Sequence, residues 1–570
     1  MKEINKKYRF VLQPITDIHL KSPNLAKEQE VHGRESTVYF LSVIAFLILV
    51  IAWINYINLS TSKSLDRAQE VGLRKVVGAS KRQLVTQFLF ESVLVNILAL
   101  VLSIVFVILM VPYFNQLAGK NVGDFVFELT ILNDSFFWIA LIGVFVLGTF
   151  LAGLYPAFVL SSFKIVSVLK GKFFGSRSGV VLRKALVGFQ FAISVALIAG
   201  TISVLKQVSF MRKQELGYSK DQLLVLKTPQ VGDSTLHNRM QSFKVELSRN
   251  SNIKSLAPTS EIPGRQISQL NFIRNFDEGK ENGFLCYHFW IDKDFVTTYG
   301  INVIAGRNFN EQEQMLFQEE RENTATPIML NEKAIRQLGY KDAQAAVDKL
   351  IRFGLGPRDW VGKVVGVIRD HHQRSLKDDY DPIIFFPARD FFGEYLTINL
   401  NMQNASETIS FVEGQFKQTF PGNVFEYFFL DAFFDRQYAA DKQFGKVFGL
   451  FSGLALLVAA LGLFGLSTFM ISQRTKEIAI RKVLGATIQS MIYLFSSDFI
   501  KLILVANVIA LPVSFWFISR WLDGFAFRDD IGWIMFVMPA VVLLIISLVT
   551  VSIQTIKTGI ANPVKALKSE

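Results

Sequence analysis

Seven long apolar runs divide this chain and decide what it can become. They lie at approximately 39–59, 84–112, 136–160, 185–205, 447–471, 488–518 and 532–556. An α-helix crosses a bilayer in about 20 residues at ~1.5 Å of rise each. Inside lipid every backbone N–H and C=O needs a partner within the protein, so runs of this kind become helices. Of the 570 residues, 19% are charged, against about a quarter in soluble domains. The expected fold class is an α-helical polytopic membrane protein of about seven spans, with one large α/β domain outside the membrane.

Charge in the connecting segments sets the orientation. Loop 60–83 carries Lys63, Arg67, Arg74, Lys75, Lys81 and Arg82 against Asp66 and Glu70, and loop 161–185 carries six basic residues and no acid. Loop 472–487 has Arg474, Lys476, Arg481 and Lys482 against Glu477. Loops 113–134 and 519–531 are acidic in balance. Basic loops stay in the cytoplasm, which places the C-terminus inside and residues 207–442 outside, in a multi-pass protein of the cytoplasmic (inner) membrane. The net charge of +12 is thereby explained by orientation and lipid headgroups, and nucleic acid is not an expected partner.

The outer insert reads as folded. Short strand-like apolar runs, Gln222–Lys227 and Trp360–Ile368, alternate with helix-like stretches such as Asn331–Gly339. The insert is large enough to form its own core. Residues 1–37 are polar and of mixed charge, with no signal-peptide pattern.

The chain also repeats itself. Glu70-Val-Gly-Leu-Arg-Lys-Val-Val-Gly-Ala-Ser80 returns as Glu477-Ile-Ala-Ile-Arg-Lys-Val-Leu-Gly-Ala-Thr487 at a spacing of 407 residues. The same spacing puts Leu59-Ser60-Thr61 on Leu466-Ser467-Thr468 and Glu91 on Asp498. Val166–Lys170 resembles Val564–Lys568, so both third spans are expected to exit into a basic segment. Both copies run the same way through the membrane, a parallel duplication. Ahead of its spans the first copy has only residues 1–36, where Tyr8–Pro14 resembles Tyr427–Phe433. That pattern reads as a first half without one span and most of one outer domain.

These residues resemble the FtsX-like permeases, specifically the duplicated MacB-type permeases of ABC transport systems common in Bacteroidota. The resemblance rests on the repeated Glu-x-x-x-Arg-Lys-Val-x-Gly-Ala-[Ser/Thr] block, on Arg183–Phe191, and on Tyr299–Phe309 and Val365–His372 in the outer domain. It implies four-span units, each with an outer domain after its first span, and a cytoplasmic coupling helix that docks on a separate ABC ATPase subunit. The expected organisation is a remnant of a first outer domain at 1–36; a three-span unit at 37–172 with coupling helix 63–80; a basic loop and opening span at 173–206; a MacB-type outer domain at 207–442; and a second three-span unit at 443–570 with coupling helix 472–487. The resemblance also brings a homodimer or a periplasmic adaptor into view as further partners.

The ATPase-docking residues on this reading are Glu70, Arg74, Lys75 and Gly78, with Glu477, Arg481, Lys482 and Gly485. In a helix Glu70 and Arg74 lie four apart and pair on one face, as do Glu477 and Arg481. Leu73, Val76 and Val77 offer an apolar surface, and Gly78 and Gly485 end the helix. The alternative is an interfacial helix anchored to headgroups. Glu91 and Asp498 form an intramembrane acidic pair at matching depth. A charge at mid-membrane costs about 2.5–3.5 kcal/mol, less near a span's end, and each acid is expected to pair with a nearby base, Lys501 being the ready partner of Asp498. The other spans carry little polar lining, which fits a cargo handled outside.

No phosphate-loop, His-Glu-x-x-His or Gly-x-Ser-x-Gly motif occurs. His371 and His372 are adjacent, not at a metal-ligand spacing, and read as a turn after a strand. Cys286 is the only cysteine, so neither an intrachain disulfide nor a cysteine-based metal site is possible. The expectation is therefore no enzyme, no cofactor and no metal, with ATP bound by the partner. The function expected is that of an ABC-type permease subunit coupling ATP hydrolysis to movement of the outer domain. Two alternatives stand beside it: a non-transporting regulator of a cell-wall enzyme, and a proton-driven secondary transporter using Glu91 or Asp498.

Overall fold

The computed structural model describes residue 14 and the chain from Glu35 to Ile560, apart from residues 67, 119–134, 162–176, 268, 317–324, 356–358, 389–392 and 474. The 1–36 remnant, the resemblance of Val166–Lys170 to Val564–Lys568 and most of the basic loop before the fourth span therefore fall outside the described residues.

The first half contributes α1 (Glu35–Asp66), the short α2 (Ala68–Val76), α3 (Lys81–Ala118) and α4 (Ser135–Ser161). Helix α5 (Arg177–Lys213) leads into the outer domain. That domain has strands β1 (Leu223–Lys227), β2 (Ile253–Thr259), β3 (Leu270–Asn275), β4 (Phe284–Ile291), β5 (Val303–Gly306), β6 (Thr326–Asn331), β7 (Leu350–Phe353), β8 (Trp360–Ile368), β9 (Ile383–Pro387), β10 (Tyr395–Leu400) and β11 (Tyr427–Phe429). Helix α6 (Leu236–Ser248) follows β1, and α7 (Ala405–Thr419) follows β10. The second half has α8 (Ala439–Gln473), the short α9 (Thr475–Val483), α10 (Ile488–Leu522) and α11 (Ile534–Ile560).

Among the described residues, six helices are long and apolar enough to cross a membrane: Val38–Ser60, Lys81–Leu117, Arg183–Lys213, Asp441–Thr468, Ile488–Leu522 and Ile534–Thr558. The seventh expected span lies in α4, 27 residues long, whose described apolar stretch is Ser135–Phe150.

The outer domain is two folded units on one continuous sheet. Strand order β11-β1-β10-β2, with α6 and α7 as the two crossovers, is a split β-α-β arrangement of ferredoxin type. Its helices cover one face through Leu224, Leu226, Met240, Phe243, Val412 and Phe416. Inserted between β2 and β10, strands β4-β3-β7-β8-β6-β9 close on themselves because β9 also pairs with β4. Closure leaves no exposed strand edge in this ring, and Ile273, Cys286, Ile328, Ile351, Val364, Ile384 and Phe386 are among the residues of its core. Trp290 packs against that core, as expected of it.

The other face of the ferredoxin-type sheet is buried against the outer ends of the membrane helices. Leu223, Val225, Phe295 and Tyr299 share one cluster with Met211 of α5, Phe434, Tyr438 and Phe525. The domain and loop 523–531 therefore lie on the same side of the bundle, as the alternation of loop charge requires.

In the membrane, α8 is the central helix, packed by α1, α5 and α11. Positions one repeat apart meet there. Asn55 of α1 donates from Nδ2 to the carbonyl of Val458, and a side chain at Gly462, its repeat equivalent, would collide with Asn55 Oδ1. Gln190 of α5 donates to the neighbouring carbonyl, Ala459, at 3.0 Å. Small residues and amide side chains hold helices together where lipid removes the hydrophobic drive. Here the structure corrects the expectation of spans without polar lining: Asn55, Asn58, Gln190, Ser194, Asn507 and Gln554 are all buried inside the bundle. They are few in each long apolar run, though Asn55 and Asn58, and Gln190 and Ser194, fall at helical spacing on one face.

Candidate coupling surface

The repeated block folds the same way twice. Helices α2 and α9 are each nine residues long, shorter than the expected 63–80 and 472–487 because the residues before them continue the preceding long helices. Val71 of α2 is buried against Leu84 of α3. One repeat later, Ile478 of α9 is buried in a cluster that contains Met491 of α10. Each short helix is thus anchored by one apolar side chain to the first turn of the next span.

The glycine stops both helices. Gly78 has φ +102° and Gly485 φ +91°, values that L side chains rarely adopt. The bonds Ala79 N to Arg74 O and Ala486 N to Arg481 O, both 2.9 Å, close matching six-residue turns, the pattern of a glycine C-cap. The last residue of the block then caps the next helix: the Ser80 hydroxyl accepts from Gln83 N and the Thr487 hydroxyl from Ser490 N, both at 3.3 Å. The motif thus encodes a helix, a turn and a new N-cap in eleven residues.

What remains at the surface is apolar. Leu73, Val76 and Val77 are exposed, and so are their equivalents Ile480, Val483 and Leu484; Val77 and Leu484 are 87% and 79% accessible. Two copies of one apolar triplet therefore face outward beside Arg74, Lys75, Arg481 and Lys482. Burial, and then the nearby Lys81 cation, hold the Lys75 ammonium below its usual pKa.

Among the described residues, the charged side chains of the two copies make these contacts. Arg481 pairs with Glu477 at 2.6 Å. The Glu70 side chain falls outside the described residues. Arg74 donates to Gln87 Oε1 at 2.7 Å, and Gln87 donates to Glu91 at 3.5 Å, so the first coupling helix is tied to its span through an amide. Asp498 lies 3.8 Å from Lys184, at the inner end of α5. The cation beside Asp498 is therefore on another helix, Lys184 of α5, in place of the expected Lys501.

At the far end, His371 and His372 are buried and not in an exposed turn. Both rings are held at about pKa 4, chiefly by burial. His372 stacks on Tyr380 at 4.4 Å and meets Phe527, from the loop between the last two spans, at 4.5 Å. Nothing in the sequence pattern ties Phe527 to the outer domain. Among the described residues no cluster of three or more His, Cys, Asp or Glu could hold a metal ion.

The model of the FtsX-like permease C-terminal family matches residues 42–165 and again 449–560. Curated relatives match shorter stretches. The macrolide export ATP-binding/permease protein MacB of Salmonella typhimurium is 34% identical over 109 residues, 18% of this chain and 16% of that protein. The protein of the same name from Bdellovibrio bacteriovorus is 31% identical over 131 residues, 23% and 19% of the two chains. The matches span less than a fifth of these relatives' length. Among solved structures, the extracellular domain of the noncanonic ABC-type transporter YknZ from Gram-positive bacteria aligns with 36% of this chain and 97% of its own, at 12% identity and TM-score 0.25. A domain of a putative permease from Porphyromonas gingivalis aligns with 36% and 89%, also at 12% identity and TM-score 0.25.

Proposed function

From the premise that this chain is a duplicated FtsX-like permease of the MacB type, we propose that it is the membrane subunit of an ATP-driven ABC transport system. In this reading α2 and α9 are docking helices for a separate cytoplasmic ATPase. Arg74, Lys75, Arg481 and Lys482, with Glu70 and Glu477, frame two apolar triplets that enter grooves on the ATPase, while Gly78 and Gly485 set the angle at which each helix meets its span. Nucleotide-driven motion at these helices passes through the bundle to the outer domain, which handles cargo outside the cytoplasmic membrane. The C-terminus then lies in the cytoplasm, and lipid surrounds the spans. The chain supplies no nucleotide site or cofactor of its own.

The observation that carries this is the pair of exposed apolar triplets at equivalent positions, Leu73-Val76-Val77 and Ile480-Val483-Leu484. Exposed apolar clusters with a polar rim mark partner surfaces. A purely interfacial role would not require the same three positions to project twice. The test is co-purification of an ATPase with the wild-type chain and with Arg74→Glu plus Arg481→Glu. Loss of the ATPase from the double variant is expected. Full retention of it would refute the docking role.

A further inference from the structure

The loop joining the last two spans grips the outer domain from both sides. Ala526 N donates to Lys377 O at 3.0 Å and Phe527 N to Leu376 O at 3.2 Å, so backbone pairs with backbone. Gln207, near the outer end of α5, closes the contact with both ends of its amide: Nε2 donates to Phe527 O and Oε1 accepts from Asp529 N, each at 2.9 Å. Lys206 pairs with Asp529 at 3.1 Å. The Phe527 ring sits against His372 and, at 5.2 Å, Tyr380.

The segment they hold, residues 370–381, connects β8 to β9 and therefore belongs to the closed ring of strands. It is fastened elsewhere as well. Lys377 pairs with Asp441 of α8 at 2.5 Å, Leu376 N donates to the Tyr438 hydroxyl at 2.9 Å, and His372 N donates to Leu216 O at 2.9 Å.

Follow the chain inward from this loop. Helix α10 runs for 35 residues, with Pro512 inside its outer half, about 50 Å of helix at the usual rise; the proline removes one backbone bond there and favours a bend. Its inner end carries Met491 and Phe495, in the cluster that anchors Ile478 of α9. Its outer end carries Leu522 and leads straight into Phe525, which is buried in the domain's own core cluster. One continuous helix thus links the second coupling helix to the outer domain.

We propose that α10 and loop 523–531 form a second load path from α9 to the outer domain, alongside the continuous helices α5 and α8, with Gln207 and Phe527 as its positioning residues. The inference rests on the reading of α9 as a docking helix and goes beyond it by naming the route. A push on α9 moves α10 along its axis, and the loop delivers that movement to the β8–β9 connection. Helices α5 and α8 reach the ferredoxin-type unit directly and, with the residues flanking them, touch the β8–β9 connection at its other contacts, and this joint adds the input from α9 to that connection. Coupling of this kind is shown only by a perturbation that moves one end and not the other.

The experiment uses the full chain with the ATPase that co-purifies with it. Spin labels at Tyr39→Cys, on the outer end of α1, and Leu355→Cys, on the strand ring, report the distance between bundle and ring; both sites are exposed and the native Cys286 is fully buried. In the otherwise wild-type chain, ATP is expected to change this distance. In Phe527→Ala plus Gln207→Ala the amplitude should fall about fivefold, the lower end of ordinary coupling strengths, with the ATPase still bound. Phe527→Tyr, which keeps the ring, should restore it. If the double variant fails to fold, Gln207→Leu alone removes the two-way amide bond and should still reduce the amplitude. An unchanged amplitude in a folded variant with ATPase bound overturns the second path alone. Absence of any ATPase from the wild-type preparation overturns the docking reading on which it stands.

Discussion

Helices α3 and α10 occupy the same place in the two copies, yet only one is enclosed. At the inner end they agree: Leu84 and Ser92 are buried, as are Met491 and Phe499 one repeat later. Further out they part. Ala506, Ala510 and Ser514 are buried, while Ala99, Ser103 and Val107 are exposed. The cause is α5. Its Val187, Phe191 and Val195 pack into the cluster formed by Phe495, Phe499 and Ile503. Among the described residues α3 has no helix in that role. Similar apolar patterns thus give opposite burial, because in a membrane a pattern says only that a residue avoids water, and neighbours decide whether it meets protein or lipid.

The halves also differ in what they carry. The second is bonded to the outer domain, and that bond contains His371 and His372. We predict that acid unfastens it and leaves the first half intact. Both rings sit at about pKa 4 against 6.5 for an ordinary histidine. Between these values the unfolded chain binds more protons, so stability present above pH 6.5 is lost as pH falls toward 4 and does not change further below. Each ring accounts for up to ~3 kcal/mol. His288 in the same domain is likewise held at about 4 by burial, while Asp292, raised to about 6 from 3.8 by burial that outweighs Lys244, has the opposite sign and offsets roughly one ring, leaving a net loss of about two rings, ~6 kcal/mol. Amide exchange of residues 370–381 and of α1, followed from pH 7 to pH 4, checks this: equal acceleration in both would remove the distinction between the halves.

A second way to break the comparison is to make the halves alike where they meet. Asn55 and Gly462 are repeat equivalents, one large and one absent, and a Cβ on Gly462 would overlap Asn55 Oδ1. Gly462→Ala should destabilise the purified chain by about 2 kcal/mol, the usual cost of overpacking. Adding Asn55→Ala should recover most of it. Thermal unfolding in detergent measures both, and a double variant no better than the single would show that the clash is not the cause.

Much of this architecture was legible beforehand, for physical reasons. The spans follow from apolar length alone, since lipid leaves helices no competitor. The repeated helix and its glycine stop could be read from Glu70–Ser80 because each is a local rule acting within a few residues, whereas the caps at Ser80 and Thr487 came only with the structure. The strand Trp360–Ile368 was legible for the same reason. The interior contacts were not. Asn55 reaches Val458 across 403 residues and Gln207 reaches Phe527 across 320, and no local rule encodes which distant carbonyl an amide will find. Lys184 was passed over in favour of Lys501 on the same grounds: spacing along a helix is visible in sequence, while adjacency between helices is made by packing.

The caps sharpen the comparison at smaller scale. Ser80 and Thr487 each accept a bond from the third residue on, but Ser80 also bonds Gln83 through its N–H and hydroxyl, a reciprocal capping box. Ser80→Ala should cost about 1 kcal/mol, and Thr487→Ala somewhat less, because a lone hydroxyl bond is lost. Exchange rates of the first-turn amides of α3 and α10 rank the two, and the reverse order would mean that the reciprocal box adds nothing.

The smallest expected effect concerns the ionic pairs on the coupling helices. Glu477 and Arg481 meet four residues apart with both side chains nearly half exposed, so water and salt screen most of their attraction. Glu477→Gln should therefore change stability by only about 0.3–0.5 kcal/mol, and the change should vanish at high salt. In the first half Arg74 reaches Gln87, where the second half has Leu494. Gln87→Leu gives the first half the second half's residue at that position and leaves Arg74 without the amide that tied it to α3. If the two coupling helices are held to their spans by different means, as the contacts indicate, Gln87→Leu should speed exchange at the end of α2 while Glu477→Gln leaves the end of α9 nearly as it was. Equal effects would make the Gln87 tie no more than another screened surface contact.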